Sequence, residues 1–159
     1  MSTLEQAVFP ARFAALRDTA AFVQRFCERN GIAREDALRL TLFIEELFSN
    51  TVEHGHGSDS DEPIRVVLEF CADRVRMLYE DTAPRHDPTE TWGEGESALD
   101  APPEARPVGG LGLALLRALA SEARYAHEEG MNRLWLTLPC RQTAHDPTGE
   151  RGSSSGSLP

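Results

Sequence analysis

Residues 45–57 read EELFSNTVEHGHG. On a helical period Glu46 and Asn50 are i and i+4 and share a face, with Glu53 and His54 one turn further along. Leu40, Ile44, Leu47 and Phe48 fall on the buried side, so the spacing predicts a helix from about Arg34 to His54, with Gly55 just past its end. A carboxylate beside an amide at this spacing can do two jobs. The amide oxygen can ligate a hard divalent ion such as Mg²⁺, which takes a few protein oxygens together with phosphate and water. The carboxylate can accept a proton from a hydroxyl or a water. A solvated Glu–Asn pair at a helix stop is the other reading, and the pair alone leaves both open.

Upstream, TLEQAVFPA reads as a strand, and RFAALRDTAAFVQRFCE, from about Arg12 to Glu28, carries apolar residues at helical spacing up to a stop at Asn30-Gly31. Downstream, IRVVLEFCA and RVRMLYED alternate around Ala72-Asp73 and predict a β-hairpin. Residues 82–108 hold five of the ten prolines and show no period, the mark of a long functional or disordered loop. A helix over LGLALLRALASEA follows, then a second hairpin in ARYAHEEGMNRLWLTLP and a Ser/Gly-rich tail over 140–159. Grouped strands with little βαβ alternation argue for an α+β two-layer sandwich, with helices on one face of a mostly antiparallel, mixed sheet.

The 159 residues suit one domain, and a formal charge of −10 makes nucleic acid and anionic membrane poor partners. No stretch approaches the roughly 18 uninterrupted apolar residues of a membrane span, and no signal-peptide pattern opens the chain. Cys27, Cys71 and Cys140 form no CxxC, so reduced thiols in a cytoplasmic protein are expected. All 16 basic residues are arginine. A Walker-type phosphate loop and an ordinary protein kinase both need a lysine on the phosphates, so neither operates here. HGHG at 54–57 lacks the further Cys or His of a zinc motif.

Two more stretches can carry chemistry. In YEDTAPRHDP, Asp81 falls where an apolar strand gives way to the long loop; a carboxylate there can accept a hydrogen bond from an exocyclic amine, or simply start a turn. In VGGLGLALL three glycines precede and open a helix, leaving backbone N–H groups available to an anion, or forming a hinge.

The order and separation of these three stretches resemble the GHKL (Bergerat-type) ATP-binding fold, and within it the stand-alone anti-sigma-factor serine/threonine kinases of bacterial partner-switching systems. EELFSNTVEHG resembles their N-box, EDTAPRHDP their first glycine-type box, and GGLGLALLRALASEARYAHEEGMNRLWLTLP their second box with its hairpin, so the likeness spans roughly residues 6–139. It departs from the family at Ala83, where a glycine is usual, and at His86, where an aromatic is usual.

The resemblance implies a histidine-kinase-like ATPase domain over 1–139 with an ATP lid at about 84–108. Asn50 would ligate Mg²⁺, Glu46 would be the general base, and Asp81 would hold the adenine amine of ATP or ADP, with Ala83 beside it. Gly110, Leu111, Gly112 and Leu113 would offer N–H groups to the phosphates, and Thr137 resembles a position near the adenine. The implied partners are an antagonist protein carrying the target Ser/Thr and a sigma factor or other regulator, and family members commonly form homodimers. Arg17 and Arg25 lie on the helix that would face a partner. A nucleotide-binding module that sequesters without phosphoryl transfer is the alternative.

Overall fold

The computed structural model describes residues 2–90, 114 and 117–143. Five strands form one sheet: β1 (Thr3–Pro10), β2 (Pro63–Cys71), β3 (Arg74–Asp81), β4 (Glu122–Glu128) and β5 (Met131–Pro139). Their order is β1-β2-β3-β5-β4. All four pairings are antiparallel, so among the described residues the sheet is not mixed. Helices α1 (Leu16–Arg29) and α2 (Arg34–Asn50) cover one face.

Period-two alternation decides which side chains meet the helices. Ile64, Val66, Leu68 and Phe70 of β2, Val75, Met77 and Tyr79 of β3, and Leu134, Leu136 and Leu138 of β5 are buried with Phe22, Val23 and Phe26 of α1. From α2 the core takes Leu40, Phe43, Ile44, Leu47 and Phe48. On the other face Glu80, only 2% exposed, lies between Arg65 and Arg133, with Arg133 Nε donating at 2.8 Å. A buried carboxylate needs such paired donors, and the register supplies them by setting Arg65, Glu80 and Arg133 side by side.

Four element boundaries differ from expectation. The first helix begins as a 3₁₀ turn, Phe13–Ala15, and becomes α-helical only at Leu16. The second does not run as α-helix to His54: it ends at Asn50 and continues as a π-helical turn, Thr51–His56, closed by Gly57 at φ 77°. Thr51 Oγ1 lies 3.0 Å from the Leu47 carbonyl at the point where the helical ladder widens. The helix before β4 does not extend through Ala123, because β4 takes up pairing at Glu122.

The tail does not begin at Cys140. That residue is buried, Gln142 bridges to Ile32, and Arg141 N donates to Asp36 Oδ2 at 2.8 Å. Asp36, itself buried, also accepts from Arg39, so the start of α2 is an anchor for residues 140–143. Residues 144–159 lie outside the described residues.

Candidate functional site

The C-terminal end of α2, the end of β3 and the start of β5 converge on a narrow cavity of about 40 Å³. Asn50, Thr51, Gly55, Tyr79, Asp81, Ala83 and Asn132 are among the residues lining it. Three of the sequence-predicted residues, Asn50, Asp81 and Ala83, therefore come together from two separate stretches.

Asp81 is buried and fully oriented. Its Oδ1 accepts from Ala83 N at 3.0 Å and from Asn132 Nδ2 at 2.8 Å; its Oδ2 accepts from Thr51 Oγ1 at 2.8 Å. A carboxylate oxygen accepts about two hydrogen bonds, so Oδ2 keeps capacity for one more donor. Tyr79 OH lies 2.8 Å from Thr51 Oγ1. With the Thr51 proton directed at Asp81, the phenol is the donor in that pair. Burial and the neighbouring Asp81 push the Tyr79 phenol well above its ordinary value, so it stays protonated for this task.

Ala83 packs tightly in the wall. A Cβ built on Gly55 would sit 2.7 Å from the Ala83 methyl, so a glycine in the π-helical turn gives room to the alanine that stands where the family has glycine.

Glu46 does not line the cavity; it lies one turn earlier on α2, half-buried. Neither its carboxylate nor the Asn50 amide makes a hydrogen bond or ion pair with any described residue. Among the described residues no cluster of three or more His, Cys, Asp and Glu could hold a metal. A cation here would rest on Asn50 and on oxygens of a ligand, the coordination Mg²⁺ tolerates best. The chemistry of the free amide oxygen fits that ion.

Thr137 does not belong to this site. It pairs with Arg76 and bonds Glu122, five residues along β5 from Asn132, and by alternation its side chain falls on the face away from the helices. The residue opposite Asp81 is Asn132. Thr51, Tyr79, Tyr125 and Asn132 were absent from the sequence expectation. One signal was available: Asn132 shares parity with Leu134, Leu136 and Leu138, so a polar amide stands on an apolar face. Gly110, Leu111, Gly112 and Leu113 lie outside the described residues, as does most of the expected lid.

A larger cavity, about 600 Å³, lies at the other end of α2 and β3, beside Leu40, Phe43, Asp73 and Leu138. It gathers none of the candidate residues. Its Arg39 and Arg141 are already paired with Asp36 and Glu35. We place the chemistry at the smaller cavity because the predicted residues converge there.

Helices on one face of an antiparallel sheet, with a helix-borne amide and a strand-end carboxylate lining one cavity, make an α+β sandwich. The profile of the histidine kinase-like ATPase domain matches residues 9–138, and the chain belongs to that family. It is 30% identical over 122 residues to the serine-protein kinase RsbW of Bacillus cereus (strain AH187), covering 76% of this chain and 74% of that one. The same figures hold for the serine-protein kinase RsbW of Bacillus mycoides (strain KBAB4). A crystal structure of the RsbU and RsbW domains of a Mycobacterium tuberculosis protein is similar in fold. Its TM-score is 0.57 at 24% identity, over 87% of this chain and 32% of that one.

Proposed function

We propose that the chain is an ATP-dependent serine/threonine protein kinase of a partner-switching module, which phosphorylates an antagonist protein and sequesters a sigma factor or similar regulator. The observation that carries this reading is the juxtaposition of a buried Asp81, whose Oδ2 can accept one more donor, with Asn50 and, one helical turn away, Glu46, whose side chains have no partner among the described residues. The similarity to serine-protein kinases over three quarters of the chain supports it.

In this reading Asp81 Oδ2 accepts from the adenine amine. Asn50 would hold Mg²⁺ through its amide oxygen, and that ion would supply charge neutralisation for the phosphates. Backbone N–H groups of Gly110 to Leu113 bind the phosphates. Glu46 takes the proton from a partner's serine or threonine hydroxyl as its oxygen bonds the γ-phosphorus and ADP leaves. Phosphorylation then adds charge to the partner's docking surface and weakens that complex.

Glu46→Gln should abolish phosphoryl transfer to the antagonist while sparing ATP binding; transfer at the native rate would remove Glu46 from the role. With ligand at about 100 times its dissociation constant, Mg²⁺ and ATP together should stabilise the native chain by roughly 2.7 kcal/mol. Thermal unfolding of Asn50→Ala should lose most of that gain.

The alternative is a nucleotide-binding module that sequesters its regulator without phosphoryl transfer, and the size of the cavity bears on both readings. A volume of about 40 Å³ holds two or three waters, not a purine. Base binding therefore requires the wall formed by His86 and Pro88 to move outward, since it is coil while most of the lining is helix or strand. Absence of phosphoryl transfer in a chain that still binds nucleotide and retains its regulator would favour this alternative.

A further inference from the structure

We infer that Asn132 is a positioning residue that sets base selectivity and bolts the root of the segment after β3 to the base-reading carboxylate. The inference rests on the nucleotide reading of the cavity. Asn132 is 6% exposed and directly opposite Asp81 in the β3–β5 register. Its Nδ2 faces three acceptors: Asp81 Oδ1 at 2.8 Å, the Ala83 carbonyl at 2.9 Å and the Pro84 carbonyl at 3.2 Å. Its Oδ1 faces two donors, His86 N at 3.2 Å and the Tyr125 hydroxyl. Acceptors on one side and donors on the other allow a single orientation of the amide.

Two consequences follow from that orientation. First, the amide and Ala83 N together saturate Asp81 Oδ1, so Oδ2 is the oxygen left to accept from a ligand. An oriented acceptor favours a base that carries an amine and is left unpaired by one that carries a carbonyl in its place. Second, the same side chain holds residues 83, 84 and 86, the start of the coil that must move for a base to enter. Tyr125, whose ring also carries the Arg85 guanidinium at 5.8 Å, braces Asn132 from β4. One buried amide thus joins the reader of the base to the hinge of its cover.

The test compares affinities for ATP and inosine triphosphate, whose 6-oxo group replaces the amine, in the full chain and in Asn132→Ala and Tyr125→Phe. Loosening of the coil alone would weaken both nucleotides alike, so the ratio isolates the positioning role. In Asn132→Ala the native preference for ATP should shrink about tenfold, the size of one lost charge-assisted hydrogen bond. Tyr125→Phe, which removes one donor to Asn132 and leaves the amide in place, should narrow the preference by a smaller factor. It carries the test if Asn132→Ala does not fold. An unchanged ratio in the folded variants overturns the inference while leaving the nucleotide reading intact. Failure of the native chain to bind either nucleotide overturns that reading and this inference with it.

Discussion

Gly55 and Ala83 illustrate how a departure from a family pattern is absorbed at the level of single atoms. The methyl that replaces a hydrogen at 83 occupies space that a side chain at 55 would need. Gly55→Ala should therefore cost about 1–3 kcal/mol through overpacking, measured by urea unfolding. The double variant Gly55→Ala with Ala83→Gly should recover most of that loss, because the two methyls compete for one site. Equal destabilisation in the single and double variants would mean that the contact is not the cause. Asp81 works at the same scale: three donors fix its carboxylate so that one oxygen is left to read a ligand.

Among the elements, the β4–β5 hairpin controls where Asn132 is delivered. Its two-residue loop, Glu129-Gly130, has φ of 55° and 76°, the left-handed pair of a type I′ turn. Glycine suits the second position; glutamate at the first carries a steric cost that asparagine largely avoids. Glu129→Asn should raise stability by about 1 kcal/mol in chemical unfolding, with nucleotide selectivity unchanged. The substitution also removes the ion pair to Arg133, but that pair spans 4.0 Å, its glutamate is 86% exposed, and it contributes little. The π-helical turn after α2 acts on the other side of the site. It lets the chain turn away after Asn50 while Thr51 stays aimed at Asp81.

For the molecule as a whole, the buried thiols set its response to alkali. Burial pushes Cys27 up from the ordinary value of 9.0 to about 12, and Cys140 to about 11. Both stay protonated in the folded chain over a range where the unfolded chain releases its protons. Stability should thus be full below pH 9 and fall as pH rises from there toward 11 and 12. Urea unfolding of Cys27→Ala across that window should give a shallower decline than the native chain, from a lower starting stability. An identical slope would remove Cys27 from the effect. Among the described residues no helix is long and apolar enough to cross a membrane.

The element order was legible in the sequence because burial writes itself locally. The alternation of IRVVLEFCA and RVRMLYED and the helical spacing of Leu40, Ile44, Leu47 and Phe48 each report a face, and faces imply a sandwich. Asn50 and Asp81 were legible too, as polar side chains placed where apolar elements end. The strand order was not, and with it went the partners of Asp81. Thr51 is 30 residues away and is brought in by the helical turn packed on the sheet; Asn132 is 51 away and is brought in because β5 pairs antiparallel with β3, between β3 and β4. Thr137, expected at the site, is carried five residues down the same strand and onto the opposite face by that register. Hydrophobic period tells a residue which way to face but not which residue it will face. Cross-strand neighbours are set by long-range pairing, so the chemistry of this site was decided only when the sheet closed around it.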